Sequence, residues 1–556
     1  MTGALAGKKT ALILEPDRSM GFMMTAVLKR HGFNVITCES LQEILTKVRG
    51  AQVKMMIIAE EVKAGPKTGF DIITAFNKTY QGSIPMLVTC ATPTEEKVIL
   101  AIRAGALEFL VKPTSEQVLM RKIEGAMNRG SRDIVVSNIK NLNFKPGMTI
   151  AEMIDMVINE ADEIRAMPHA VAKITQVSQD EKSGAQAMEQ AINSDPAIAA
   201  MTLKRANSAF YKGQSQITSV KQAVVRIGFN ECRKMVLGFS VFKLFAADQK
   251  CFGFNRLHFW VHSVATGIIG EYLSKKTKAP HTDDAFLAGL LHDFGKLLFD
   301  DYLSGYFQKA LQLANINSIS LFDSEVKVFE RTHNAVSKAV MEKWNFAGHI
   351  ADAVLRHHTP PKADKDGALK PGLAESLYLA NQMAKASLIG FGGDSIGGAI
   401  PDALWKAYGY NDGEFKDEEI NLIFKGVREF LEFLGVTEKE VGRAMVPPKS
   451  AEHILLVRNG EEDHRILSFF LRCQGHKVTC LKSSADLSPE AGYTKALAFV
   501  GDKDSASEAV KDFSKGPPMP VVLLTGKFKF SGSQLPKHIK VIDGNVDFQT
   551  LKLAIK

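Results

Sequence analysis

Short apolar runs of strand length crowd the two ends of this 556-residue chain and nearly vanish between them, and no other feature limits the fold as much. At the front, Thr10 to Leu14, Asn34 to Thr37, Lys54 to Ala59, Pro85 to Thr89 and Phe109 to Val111 read as strands. Helical periodicity fills the gaps at Met20 to Arg30, Leu41 to Val48, Phe70 to Asn77, Glu95 to Ala104 and Ser115 to Met127. Five βα units in this order predict a doubly wound, parallel five-stranded α/β sheet over residues 1–130. The same rhythm returns after Pro447-Pro448-Lys449-Ser450. Strands are expected at Ile454 to Val457, Lys477 to Cys480, Ala496 to Val500, Val521 to Thr525 and His538 to Ile542. Helices are expected there at Asp463 to Gln474, Ser505 to Phe513 and Phe548 to Ile555, giving a second α/β domain over 451–556. From Thr149 to about Leu434 apolar residues instead recur at three and four spacing, as in Ile154, Val157, Ile158 and Ala161. That stretch predicts an all-α domain at 149–446, joined to the first by a polar linker at 131–148. The chain is therefore multidomain.

Composition excludes several classes. With 45% hydrophobic and 23% charged residues, the chain is neither disordered nor fibrous. No run of about 18 apolar residues is present, and the opening Met1 to Lys9 lacks a secretory apolar core, so a cytoplasmic protein without membrane contact is expected. Six cysteines without a Cys-x-x-Cys pair read as reduced, buried thiols. The net charge of +8 is spread thinly. Residues 1–130 carry 17 basic and 12 acidic side chains, residues 451–556 carry 15 and 12, and the middle carries 37 of each. No segment has the concentrated basic face of a nucleic-acid reader, so nucleic acid is not an expected partner.

The acidic Glu15 and Asp17 after the first strand, Thr89 in the fourth and Lys112-Pro113 after the fifth make residues 1–130 resemble a response-regulator receiver domain. The resemblance implies an aspartate after strand three as phosphoryl acceptor, acids after strand one for Mg²⁺, and Thr and Lys on the phosphoryl oxygens. Here Glu60-Glu61 stand in place of the aspartate, and Pro16 stands where a second acid is expected. A glutamate carries its oxygens one methylene farther out, which in-line attack tolerates poorly. The module is expected to be unable to accept phosphate. Either it serves as an interaction surface, or a fixed Glu carboxylate near Thr89 and Lys112 mimics the phosphorylated state.

In the middle, Asp195-Pro196 is a ready N-cap and first turn, and Thr218-Ser219 can cap the helix that Gly228 ends. The run Asp195-Pro-Ala, Asn207-Ser-Ala-Phe-Tyr211 and Ile217-Thr-Ser219 resembles the HDOD domain, a helical relative of HD-type phosphohydrolases in bacterial signalling proteins. The resemblance extends over roughly 150–400 and includes Phe286-Leu-Ala-Gly-Leu-Leu-His-Asp-Phe-Gly-Lys296. In HD enzymes the His-Asp pair, here His292-Asp293, sits at a mono- or binuclear metal centre. By the same resemblance His262, His333, His357 and His358 are candidate ligands and Lys296 a phosphate-contacting lysine. Imidazole and carboxylate suit Fe, Mn or Zn. Asn381 stands where a final aspartate is expected, and Thr359-Pro360-Pro361 follows the His pair where the cyclic-di-GMP-hydrolysing HD-GYP group has Gly-Tyr-Pro.

The Gly-rich stretch Ala384 to Ile400 lacks a preceding strand and a Gly-Lys-Ser/Thr signature, and reads as a flexible loop. The C-terminal module resembles a receiver more weakly: Asp502 sits near the acceptor position and Thr525 at the hydroxyl position, but Ile542-Asp543 replaces Lys-Pro. The expected protein is a bacterial signalling scaffold with a non-catalytic HDOD module between phosphorylation-incompetent receiver-like modules. Its expected partners are signalling proteins, a nucleotide ligand or a second copy of itself. The alternative is an HD-type metal-dependent phosphohydrolase acting on a nucleotide or cyclic dinucleotide.

Overall fold

The computed structural model describes residues 9–39, 41–48, 53–62, 68–80, 84–94, 97, 100–101, 104–130, 148–160, 181–208, 211, 215–245, 251, 253–329, 331–411, 415–441, 452–459, 464–481, 493–500, 503–515, 519–525, 536, 538–542 and 547–555. The linker at 131–147, most of the helix expected at 95–104, the boundary at 447–450 and Asp502 lie outside them. Two compact units emerge. One comprises Met1–Met153, Gln249–Phe254 and Leu298–Glu330; the other comprises Ile154–Asp248, Asn255–Leu297 and Arg331–Lys556.

In the first unit, β1 (Thr10–Leu14), β2 (Asn34–Cys38), β3 (Val53–Ala59), β4 (Met86–Cys90) and β5 (Glu108–Val111) form a parallel sheet in the order β2-β1-β3-β4-β5. Helices α1 (Arg18–Arg30), α2 (Leu41–Val48), α3 (Gly69–Tyr80) and α4 (Glu116–Gly130) accompany it. Strand side chains alternate between two apolar layers. Leu12, Leu14, Met56, Ile58 and Val88 join Ile73 and Phe76 of α3, while Ala11, Ile13, Met55, Ile57 and Leu87 join Met24, Val27 and Leu28 of α1. Burial on both faces explains the near-continuous apolar strands. It also leaves the C-terminal strand ends as the place where polar side chains gather.

The helical stretch does not stay whole. After α5 (Ile150–Asn159), α6 (Glu181–Asn193), α7 (Pro196–Ala206), α8 (Val220–Ile227), α9 (Phe229–Phe245), α10 (Arg256–Thr277), α11 (Ala285–Leu291) and α12 (Phe294–Tyr302), the hairpin α13 (Ser304–Asn317) and α14 (Leu321–Phe329) belongs to the first unit. There α13 lies against α3 and α4, with Gln312 Nε2 donating to Gly105 O at 3.3 Å. Phe299 stacks on Phe329 at 4.1 Å and Phe254 meets Phe307 edge-on at 5.0 Å. Periodicity reports that a helix exists, not which core it joins, so the sequence boundary at 149–446 does not follow this packing.

The second unit continues with α15 (His333–Lys343), α16 (Gly348–Arg356), α17 (Leu373–Ser387), α18 (Asp402–Ala407), α19 (Asp417–Phe433) and α20 (Glu438–Val441). Asp195 caps α7 by accepting from Ala197 N and Ile198 N, and Ser219 with Gln222 forms a capping box on α8. The long α10 is buried nearly all round, against α11 and α17. It is followed in the chain by a second parallel five-stranded sheet of β6 (His453–Asn459), β7 (Lys477–Leu481), β8 (Lys495–Val500), β9 (Val521–Leu524) and β10 (Ile539–Ile542). Its order, β7-β6-β8-β9-β10, is that of the first sheet. Helices α21 (His464–Cys473), α22 (Lys503–Lys515) and α23 (Phe548–Ile555) complete it, and α21 packs on α17. No helix among the described residues is long and apolar enough to cross a membrane.

Candidate metal centre

At the strand ends of the first sheet the carboxylates are already engaged. Glu15, whose side chain is fully buried, accepts from Thr89 Oγ1 at 2.7 Å and pairs with Lys112 Nζ at 2.9 Å. Glu60 instead faces the other way, pairing with Lys97 at 2.7 Å and accepting from the Cys90 thiol at 2.8 Å. Burial and the Glu60 carboxylate push that thiol up to about 11. Asp17 caps α1 through Met20 N, and Glu61 is exposed. The carboxylate beside Thr89 and Lys112 is thus Glu15, where the sequence pointed to Glu60. Glu60, at the end of β3, is drawn off by Lys97 and the Cys90 thiol, and Glu15, at the end of β1, reaches past β3 to Thr89 and Lys112 in its place. Thr525, the corresponding hydroxyl in the C-terminal module, is buried and lies 3.5 Å from Ile542 O.

The helical domain brings together what sequence scattered over 97 positions. His262 comes from the middle of α10, His292 and Asp293 from the junction of α11 and α12, His333 from the start of α15, and His357 and His358 from the end of α16. All but His358 are at most 1% exposed. The crossing of α10 and α11 is made by glycines: a Cβ on Gly289 would stand 2.4 Å from Gly267 Cα. Likewise a Cβ on Gly295 would stand 2.2 Å from His333 O, so α12 and α15 touch at their backbones.

Asp293 is the hub. Its Oδ2 lies 3.2 Å from His292 Nε2 and 3.8 Å from His262 Nε2; its Oδ1 lies 3.0 Å from His333 Nε2 and 3.4 Å from His357 Nε2. His333 Nε2 is in turn 3.3 Å from His357 Nε2 and 3.0 Å from His358 Nε2. Ligand atoms on a cation at bonds of about 2.1 Å sit about 3.0 Å apart in octahedral and about 3.4 Å apart in tetrahedral geometry, a range that the His292, His333, His357 and His358 spacings fit and the His262 spacing exceeds. The tautomers agree. His292 Nδ1 and His357 Nδ1 sit 2.6 Å from the carbonyls of Gly289 and Val354, so each donates there and leaves its Nε2 lone pair facing inward. Burial lowers His262 and His358 well below the usual imidazole range and His357 to about 3, so these rings are neutral. Burial alone would raise Asp293, but the His292 and His333 imidazoles and the Lys296 ammonium around it hold its carboxyl well below the usual carboxylate range. His262 Nε2 and His292 Nε2 have no hydrogen-bond partner among the described residues. These donors fit a divalent cation.

Lys296, 1% exposed, gives its ammonium to Asp293 Oδ2 at 2.7 Å and to Gly392 O at 2.8 Å. Asn381 is buried on α17 with neither amide atom hydrogen-bonded among the described residues. Sequence reading missed the contribution of Gly392, which belongs to the stretch taken for a flexible loop. Its neighbours Asp394 and Ser395 are buried, and Asp394 pairs with Lys385 at 2.7 Å. The spacing of glycines signalled freedom; their actual use is close approach. A separate cluster also went unread: His349 Nε2 meets Asp284 Oδ2 at 2.8 Å, Arg233 holds the other oxygen at 2.8 Å, and His281 stacks on His349. Nothing in the sequence links residues so far apart.

Comparison with known proteins agrees with the N-terminal sheet and the helical part of this description. Residues 11–124 match the response regulator receiver domain and residues 164–360 match the HDOD domain. The transcriptional regulatory protein ZraR of Salmonella typhimurium is 27% identical over 123 residues, covering 22% of this chain and 27% of that protein. The transcriptional regulatory protein CpxR of Escherichia coli is 25% identical over 118 residues, covering 21% of this chain and 49% of that protein. The chain thus spans between about a quarter and a half of the length of these curated relatives. Among solved structures, an HDOD domain protein of unknown function from Geobacter sulfurreducens is 19% identical, with a TM-score of 0.40, covering 50% of this chain and 99% of that one.

Proposed function

We propose that this chain, which joins an N-terminal receiver domain to an HDOD domain and is thereby a bacterial signalling protein, acts by binding rather than by catalysis. The observation that carries this reading is that the charged groups each chemistry requires are spent inside the fold. Lys112 and Thr89 hold Glu15, so neither that lysine nor that hydroxyl is free to receive a phosphoryl group. Lys296 holds Asp293 and Gly392, so this ammonium is already engaged and not left to meet a substrate phosphate. Asp293, His333, His357 and His358 would hold one divalent cation, Fe, Mn or Zn, while Lys296 supplies positive charge beside Oδ2, where His262 and His292 lie. Such a cation would act as a Lewis acid where water could reach it. Bound there, it would join the α11–α12 junction to α15 and the end of α16. The C-terminal module, with its receiver strand order and Ile542-Asp543 in place of Lys-Pro, serves as a docking module for partner proteins.

Two measurements test the reading. Incubation with acetyl phosphate and Mg²⁺ is expected to leave no hydroxylamine-labile phosphate on residues 1–130; stoichiometric labelling would overturn the receiver half. With Mn²⁺ or Fe²⁺ loaded, turnover of bis-p-nitrophenyl phosphate and of cyclic dinucleotides is expected to equal that of an Asp293→Asn variant. The coordination-like spacing around Asp293 favours the phosphohydrolase as second reading, and turnover lost specifically in Asp293→Asn would establish it.

A further inference from the structure

All of the cluster but the part-exposed His358 is closed to solvent, and α10, α11, α12, α15, α16 and α17 around it are packed helices. Among the described residues, one non-helical segment that rests on it is the Gly-rich stretch after α17. Helix α17 ends with Leu388 in the left-handed region, and Gly390 follows at φ +74°. A Cβ on Gly390 would stand 2.2 Å from His262 N and 2.5 Å from His258 O, so the chain here runs flush against the backbone of α10. Phe391 N donates to His258 O at 2.8 Å. Gly392 then lies over the cluster itself: its carbonyl takes the Lys296 ammonium, and a Cβ on it would stand 2.9 Å from His262 Cδ2 and 3.4 Å from Asp293 Oδ2.

The other half of the segment is gripped from the C-terminal module. Ile396 pairs with Asp547 in an isolated antiparallel bridge. Phe548 N donates to Ser395 O at 3.0 Å, and the Ser395 hydroxyl donates to the Asp547 carboxylate. Asp547 is also the cap of α23, receiving Thr550 N and its hydroxyl. The module is seated by polar contacts at its edge, Arg465 to Asp402 at 2.8 Å and Arg472 to Asp417 at 3.1 Å, and by Phe415 on Phe469 at 4.9 Å. Only four residues separate Asp547 from the end of β10. In open parallel sheets that is the end where ligands bind.

We propose that residues 389–399 are the lid of the histidine cluster and that the C-terminal module is its latch, with Asp547 as the catch. Whatever engages the strand ends of that module and shifts Asp547 frees Ser395 and Ile396. That releases Gly392 from Lys296 and opens the cluster. The idea supplies regulation for the site proposed above and so rests on that reading. Its test needs neither metal nor substrate, so the two can fail separately.

The experiment follows the full-length, metal-free chain by hydrogen exchange with peptide mass spectrometry and by the rate of diethylpyrocarbonate modification at His262 and His292. Asp547→Ala is expected to speed exchange across 388–399 about tenfold, as loss of a hydrogen bond and the bridge it anchors would do. Modification of both histidines should rise in parallel, while protection in the middle of α10 stays at its wild-type level. Ser395→Ala removes the same contact without touching the α23 cap, and should act in the same direction even where Asp547→Ala disturbs the module. Gly392→Ala should open the lid from the cluster side with the C-terminal module unchanged. Unaltered lid exchange in Ser395→Ala, together with unaltered histidine reactivity, would overturn the latch. Metal analysis then decides the separate matter of what the cluster holds.

Discussion

Asp293→Asn is expected to strip the chain of divalent metal. After reconstitution with Mn²⁺ and desalting, plasma mass spectrometry should find about one ion per wild-type chain and less than about 0.1 per variant chain, because an amide is a far weaker ligand than a carboxylate. The same change leaves the Lys296 ammonium buried without its counter-charge, a loss on the order of 3–5 kcal/mol. His357→Gln, which leaves the Lys296–Asp293 pair intact at 2.7 Å, separates the two effects and should also lose the metal. Lys296→Met is the informative opposite. With Oδ2 no longer neutralised, the carboxylate can bridge, and His262 with His292 can accept a second cation, so content should rise from about one to about two. A wild-type chain that already holds two would show that the ammonium does not stand in for a cation.

The second large effect comes from a methyl group. Gly289→Ala would force its Cβ to within 2.4 Å of Gly267 Cα and 2.5 Å of Gly267 N, both backbone atoms of a buried helix. Neither can yield without α10 and α11 moving apart. Overpacking of this kind typically costs about 1–3 kcal/mol, and a backbone-to-backbone clash belongs at the upper end. Urea denaturation followed by tryptophan fluorescence is a suitable readout, since Trp260 lies fully buried on α10. His262 and His292 ride on these two helices with ring centroids 5.3 Å apart, so the same variant should weaken metal retention. Gly348→Ala, where a Cβ would meet nothing within 4 Å, is the matched control and should shift the midpoint little.

The parallel sheet was legible because its chemistry is local. A buried strand must be apolar throughout, so β1, β3 and β4 announce themselves within a residue or two of their observed ends. The His292-Asp293 pair was legible through resemblance, and the four remaining histidines through their order. What sequence could not convey was competition between side chains for one partner. Glu15 and Glu60 both could have faced Thr89 and Lys112, and Lys97, a residue with no motif to mark it, draws Glu60 away. Glycines were misread for a similar reason: Gly390 and Gly392 look like freedom in a sequence, yet here they permit contact no side chain would allow.

The first unit is assembled from three separate stretches, the last ending at Glu330. A ribosome adding about 5–20 residues per second needs roughly 10–40 s to travel from residue 130 to residue 330. Throughout that interval the nascent sheet waits for α13, which lies against α3 and α4. A gene truncated between its apparent modules would therefore release a product whose birth was never completed, and chaperone demand, not lost activity, would be its first phenotype.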